Sequence, residues 1–182
     1  MTESDKISSL SWYVMRDLKR PNAKQPAYKL LEEKHFEVFT PMKWRSITKN
    51  GKHIREEVPF IQDLLFVHAT RDKLDEIVDK INTLQYRYLR GGTYCAPMIV
   101  KEIDMNRFMY AVRATDTQKY YLPGELTLAM CGRTVRIIGG ALNGYEGKLL
   151  TVRGSKVRRL LVELPDFFSV GVEIDPDYIQ VL

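Results

Sequence analysis

Val135-Arg136-Ile137-Ile138-Gly139-Gly140-Ala141-Leu142-Asn143-Gly144-Tyr145-Glu146-Gly147 reads as a strand, a glycine-rich turn and the start of a second strand. Val135 and Ile137 alternate with polar neighbours and give one buried face. Four glycines then permit tight turns that side chains would obstruct. Downstream, Leu160/Val162/Leu164, Val170/Val172/Ile174 and Ile179/Val181 repeat the two-residue alternation without any helical pattern. These runs predict a small β-barrel of about five short strands over 126–182.

Upstream the periodicity is mixed. Trp12-Tyr13-Val14-Met15 predicts a central strand, and Ala27, Leu30 and Leu31 share one side of a helix with Pro26 in its first turn. Glu37 to Thr40 is a strand ended by Pro41. Lys43 to Val58 is a hairpin turning at Asn50-Gly51, a pair suited to positive φ. Ile61 to His68 is apolar enough for a buried strand. Leu74, Ile77, Val78 and Ile81 mark a helix with Asp72 as N-cap, and Tyr86 to Arg90 a strand closed by Gly91-Gly92. Met105, Phe108, Met109 and Val112 mark a last helix. From Thr115 to Gly124 periodicity is lost, which puts a linker at 115–125. The fold class is therefore α+β: a tail (1–9), an α/β sandwich domain (10–114), the linker, and the barrel.

The 182 residues carry 45% hydrophobic and 28% charged residues, the mixture of a globular chain, with no apolar run long enough to span a membrane. The N-terminus lacks the basic and apolar blocks of a signal peptide, and Cys95 and Cys131 outline no disulfide framework, so a cytoplasmic location is expected. His35, His53 and His68 are far apart, with no metal-ligand spacing, and no nucleophile elbow or P-loop occurs. No catalytic residue, metal or cofactor is expected, and the chain is read as a binding protein rather than an enzyme.

The net charge is +5, and its distribution is uneven. Lys43, Arg45, Lys49, Lys52 and Arg55 fill a stretch without an acidic residue, and Arg153, Lys156, Arg158 and Arg159 form a second cluster. Each cluster is a solvated face or a contact for polyanions. Phe167 and Phe168 are adjacent, so both cannot enter one core, and one is a candidate partner contact.

The glycine-rich stretch resembles the KOW motif of SH3-like barrels, and the order of elements resembles the NusG family of transcription elongation factors. Trp12-Tyr13-Val14, Pro41-Met42, the Asn50-Gly51 hairpin, Pro59 to Val67 and Gly140/Gly147 follow the family's order. Thr40-Pro41-Met42, the basic hairpin and Leu65-Phe66-Val67 are most similar to RfaH-type paralogues, specifically the capsule-locus UpxY type. The resemblance implies an antitermination factor whose N-terminal domain binds the clamp helices of the RNA polymerase β′ subunit, on a capsular polysaccharide operon. It implies Ile61, Leu64 and Phe66 as the apolar contact, the alternative being that both faces of that strand are covered internally. It places Lys19, Arg20 and Lys24 near non-template DNA, while the dense hairpin cations are read from their own charge as facing nucleic acid, non-template DNA or nascent RNA, or a negatively charged polymerase surface. It gives the barrel a second partner, a small-subunit ribosomal protein or Rho, with no membrane and a monomeric chain. Where relatives carry Pro-Gly-Tyr or Pro-Asn-Tyr, this chain has Gln62-Asp63-Leu64, which alters the contact surface. A housekeeping NusG-type factor and a ribosome-associated RNA-binding protein are the alternative readings.

Overall fold

In the computed structural model, residues 9–19, 25–49, 51–89, 96–151, 154 and 157–182 are described. The chain divides into two compact units, Met1–Glu102 and Ile103–Leu182.

The first unit runs β1 (Ser11–Asp17), α1 (Ala27–Glu33), β2 (Glu37–Phe39), β3 (Met42–Lys49), β4 (Lys52–Pro59), β5 (Leu64–Ala69), α2 (Arg71–Lys80), β6 (Leu84–Tyr86) and β7 (Ile99–Val100). A five-stranded sheet has the order β2-β5-β1-β6, with β7 also pairing to β1. All its ladders are antiparallel. Tyr13, Met15, Leu65, Val67 and Ala69 point to one face, where they pack with Ala27 and Leu31 of α1 and with Leu74, Ile77 and Val78 of α2. Side chains alternate across a strand, so Trp12, Val14, Phe39, Leu64 and Phe66 lie on the opposite face.

Several details depart from the sequence expectations. The strand expected from Ile61 starts at Leu64, because residues 61–63 form a turn before it. The N-cap of α2 is Thr70, and Asp72 lies in the first turn, where its charge suits the helix dipole. Pro26 is the N-cap of α1 and offers no side-chain cap. Asp17, ten residues away and buried, accepts from the Ala27 amide at 2.6 Å in its place. The strand expected at 86–90 is centred earlier, on Leu84–Tyr86. Gly91, Gly92 and Cys95 lie outside the described residues.

The hairpin forms a separate two-stranded sheet. Lys49 pairs with Lys52 across a two-residue loop in which Gly51 has a φ of 72°, as its turn requires. Asn50 lies outside the described residues.

The second unit contains α3 (Glu102–Arg113, all but its first residue), β8 (Lys119–Tyr121), β9 (Cys131–Ile137), β10 (Glu146–Leu150), β11 (Arg159–Leu164), β12 (Phe168–Glu173) and β13 (Ile179–Val181). Its antiparallel sheet has six strands in the order β13-β9-β10-β11-β12-β8. Among the described residues no ladder joins β13 to β8, so the pairing is an open path. Within the stretch expected as a linker, Lys119–Tyr121 is a strand paired to β12. Leu160, Val162, Leu164, Phe168, Val170 and Val172 are buried on one face, and Phe108 of α3 meets Phe168 edge-on. The reverse face holds Tyr121, Leu150 and Leu161 under Leu126, Met130 and Cys131. At Gly147 a Cβ would lie 2.6 Å from the Leu161 carbonyl oxygen, so the β10–β11 approach demands glycine there.

Candidate functional site

The expected apolar contact residues have different environments. Phe66 is fully buried and Leu64 is 2% exposed, whereas Ile61 in the turn is half-buried. Both Leu64 and Phe66 extend from β5 toward the face opposite α1 and α2, beside Val14 and Phe39. Ile61 is not a strand residue.

One end of that face is polar. Arg16 lies directly across from Leu64 in the ladder and from Gln85 on the other side. Arg16 donates through Nε to Asp63 Oδ2 at 3.0 Å, and Arg87 approaches the same oxygen at 3.5 Å. Arg87 Nε is buried with no acceptor among the described residues. The sequence reading missed this cluster. Its one sequence signal is Arg16, the exposed cation within a strand that is otherwise apolar up to Asp17.

The cations of the hairpin divide between its faces. Directly opposed residues share a face, so Lys43, Arg45, Lys49 and Lys52 lie together with Ile47 and Ile54, and Arg55 lies on the other side with Trp44 and His53. Arg45 pairs with Glu56 at 3.4 Å, and the Lys43 ammonium sits 5.2 Å from the Phe60 ring. Arg55 covers exposed Trp44 at 5.3 Å. The stretch free of acids in sequence is therefore partly neutralised at its base by Glu56 and Glu57 across the ladder. Lys49 and Lys52 make no ion pair among the described residues. Like charges directly opposite one another disfavour a ladder, so they contribute nothing to its folding.

A cleft of about 640 Å³ lies between the hairpin base, β1 and the start of α1, lined among others by Asp17, Lys19, Lys29, Thr40, Lys43, Arg45 and Glu56. Lys19 turns inward: its ammonium donates to the Gln25 carbonyl at 2.9 Å and its amide to Asp17 at 3.0 Å. Asp17 thus accepts from the amides of both Lys19 and Ala27. Arg20 and Lys24 themselves lie outside the described residues.

In the second unit Phe168 is a core residue, contacting Phe108 and Tyr120, which corrects its reading as a surface contact. Phe167, in the turn before β12, is half-buried, and its amide donates to the Leu164 carbonyl at 3.1 Å. Arg158 is exposed and Arg159 half-buried, its Nε enclosed without an acceptor among the described residues. Arg153 and Lys156 lie outside the described residues. The glycine-rich turn is fastened to α3: Tyr110 stacks on Tyr145 and donates to the Ala141 carbonyl at 2.8 Å, and Arg107 donates to the Glu146 carbonyl.

Among the described residues no group of three or more His, Cys, Asp or Glu side chains is placed to hold a metal ion. No helix among them is long and apolar enough to cross a membrane.

The family model described as "Transcription termination factor nusG" matches residues 10–109, more than half of the 182-residue chain. No curated protein matches the chain. The matched span carries the sheet, the hairpin and the Arg16–Asp63 cluster, and the chain belongs to the NusG family of transcription factors, which act on RNA polymerase.

Proposed function

We propose that the protein is a specialised antitermination factor, which binds the clamp helices of the RNA polymerase β′ subunit and keeps transcription of a particular operon processive. The capsule-locus resemblance makes a long polysaccharide operon the expected target. The observation that carries the reading is the family match over residues 10–109; the apolar row Trp12, Val14, Phe39, Leu64 and Phe66 is itself buried in the folded chain, and beside it the half-buried Ile61 stays accessible. A partner helix would meet this edge of the sheet at Ile61 and the Arg16–Asp63 pair, since Leu64 and Phe66 are already covered. Binding that favours the elongating polymerase lowers the occupancy of paused states by its differential affinity.

The basic face of the hairpin, Lys43, Arg45, Lys49 and Lys52, is read as a track for non-template DNA or nascent RNA, with Arg55 and Trp44 on its reverse. Lys19, with Arg20 and Lys24, belongs to the same nucleic-acid surface. The second unit is read as a KOW-type barrel with a separate partner, a ribosomal protein or Rho, contacted through Phe167 and Arg158. A cytoplasmic, monomeric, non-enzymatic protein fits these roles.

The test is titration of the full-length chain into core bacterial RNA polymerase, comparing wild type with Ile61→Ser. Wild-type binding, weakened about tenfold in a variant whose unfolding midpoint is nearly unchanged, supports the reading. Leu64→Ser is not a clean probe: Leu64 is 2% exposed, and loss of such a side chain costs about 2–5 kcal/mol of stability. Absence of wild-type binding would overturn the proposal.

A further inference from the structure

The hairpin of β3 and β4 carries on its reverse face a feature that its cationic face does not explain. Among the described residues its strands form ladders only with each other, and most of their residues are exposed. Met42, Trp44, Ser46 and Thr48 share the reverse face with Pro59, Glu57, Arg55 and His53. Trp44 is 52% exposed there, and the Arg55 guanidinium carbon lies 5.3 Å from the centre of its ring. Arg55 makes no ion pair among the described residues. Toward the tip, Thr48 Oγ1 and His53 Nδ1 are 3.3 Å apart; toward the base, Glu57 lies directly across from Trp44. Folding gains little from this arrangement, since a cross-strand pair contributes about 0.2–1 kcal/mol. Threonine or valine would suit the strand without leaving a large ring half in water.

The chemistry of the two faces selects the ligand. An exposed ring carrying a guanidinium is a surface on which unpaired nucleobases stack, because every base has the π face it needs. A duplex keeps its bases stacked inside and presents none. An acidic peptide would use the arginine and leave the ring unused. Lys43, Arg45, Lys49 and Lys52 on the other face match a chain with a phosphate at every unit. A nucleotide carries phosphate and base at opposite ends. A single strand crossing the unpaired edge of the ribbon therefore meets cations on one face and the ring on the other. Glu57 repels phosphates from the base-ward side of Trp44, so the strand approaches from the tip side, past Arg55.

We propose that Trp44 and Arg55 form a stacking platform for an unpaired nucleobase, so that the hairpin holds single-stranded nucleic acid by its bases as well as by its phosphates. The inference deepens, and rests on, the nucleic-acid reading of the hairpin given above. Stacking adds affinity with little salt dependence to the salt-dependent hold of the cationic face. Thr48 and His53, next along the reverse face, bring further donors and acceptors to the same side.

The experiment titrates the full-length chain with an oligodeoxythymidine, an abasic oligodeoxynucleotide of equal length and an oligouridine, at several salt concentrations. The proteins are wild type, Trp44→Leu, Trp44→Phe and the double variant Lys49→Gln/Lys52→Gln, with unfolding midpoints and RNA polymerase affinity measured in parallel. Wild type is expected to bind the oligodeoxythymidine about tenfold more tightly than the abasic strand. Trp44→Leu should lose most of that preference with its abasic affinity and salt slope unchanged, which also shows the cationic face still assembled; Trp44→Phe should keep most of it. The lysine variant should weaken binding to all three strands and flatten the slope while keeping the preference for bases. Tighter binding of the oligouridine assigns the platform to RNA, and the reverse to DNA. Equal wild-type affinity for base-bearing and abasic strands overturns the platform and leaves the phosphate track. Unchanged binding in Trp44→Leu overturns it too, as does an equal loss on the abasic strand or a loss confined to polymerase, which would make Trp44 a protein contact. Failure of wild type to bind any of the strands removes the nucleic-acid reading and the platform with it.

Discussion

Asp17 does more for this fold than a polar residue at a strand end would suggest. Both of its oxygens are used, one by the Lys19 amide and one by the Ala27 amide, and the second stands in for the side-chain cap that Pro26 lacks. Asp17→Ala would leave two backbone donors without their partner, one of them buried, and we expect a loss of about 1–3 kcal/mol in urea unfolding. Asp17→Asn keeps one acceptor and should lose about half as much. That role was not legible in the sequence, where Asp17 and Ala27 are ten positions apart and only tertiary folding joins them. Arg16 was similarly hidden, since a lone cation on a strand reads as an ordinary solvated position until Asp63 and Arg87 converge on it. Phe168 was half legible: adjacency to Phe167 required a division of roles without saying which ring entered the core.

The elements with strong local rules are those that sequence and structure share most closely. The hairpin follows from its Asn-Gly turn, β1 from its aromatic and β-branched run, and α2 and α3 from their apolar spacing. The departures occur where a neighbour decides. Lys119–Tyr121 has no periodicity of its own and is a strand because β12 offers it a ladder. Ile61 reads as the start of the apolar run of β5, but the polar Gln62 and Asp63 that follow it turn ahead of the strand. Among the described residues the hairpin strands form ladders only with each other, so its removal should cost the molecule little. Replacing residues 43–58 by a short turn is expected to leave the unfolding midpoint of the sheet nearly unchanged. It should also flatten the salt dependence of single-stranded nucleic-acid binding, by about 0.7 in log–log slope for each cation that contacts a phosphate. An unchanged slope would remove the hairpin from the nucleic-acid surface.

At the scale of the whole molecule, the two units share a dependence on buried phenols. Burial raises the pKa of Tyr13, Tyr28, Tyr86, Tyr121 and Tyr145, and in Tyr86 the hydrogen bond to Asp75 adds to it. The folded chain therefore holds these protons above the usual value of 10.0, where the unfolded chain releases them. Their stabilisation is complete below about pH 10 and is lost as pH rises from there, because the folded state then binds more protons than the unfolded one. Urea midpoints should accordingly be flat in this contribution up to that pH and fall beyond it, with Tyr86→Phe showing a smaller alkaline fall than wild type. The hairpin has a different kind of consequence for the molecule. Eight paired residues extend about 26 Å, and charges in water are screened over about 8 Å at physiological ionic strength. Lys49 and Lys52 thus sit about three screening lengths from Met42 and Pro59 at the base of the hairpin, so the arm's end is electrically on its own: it responds to whatever anion drifts within its reach, and not to the charge of the body that carries it.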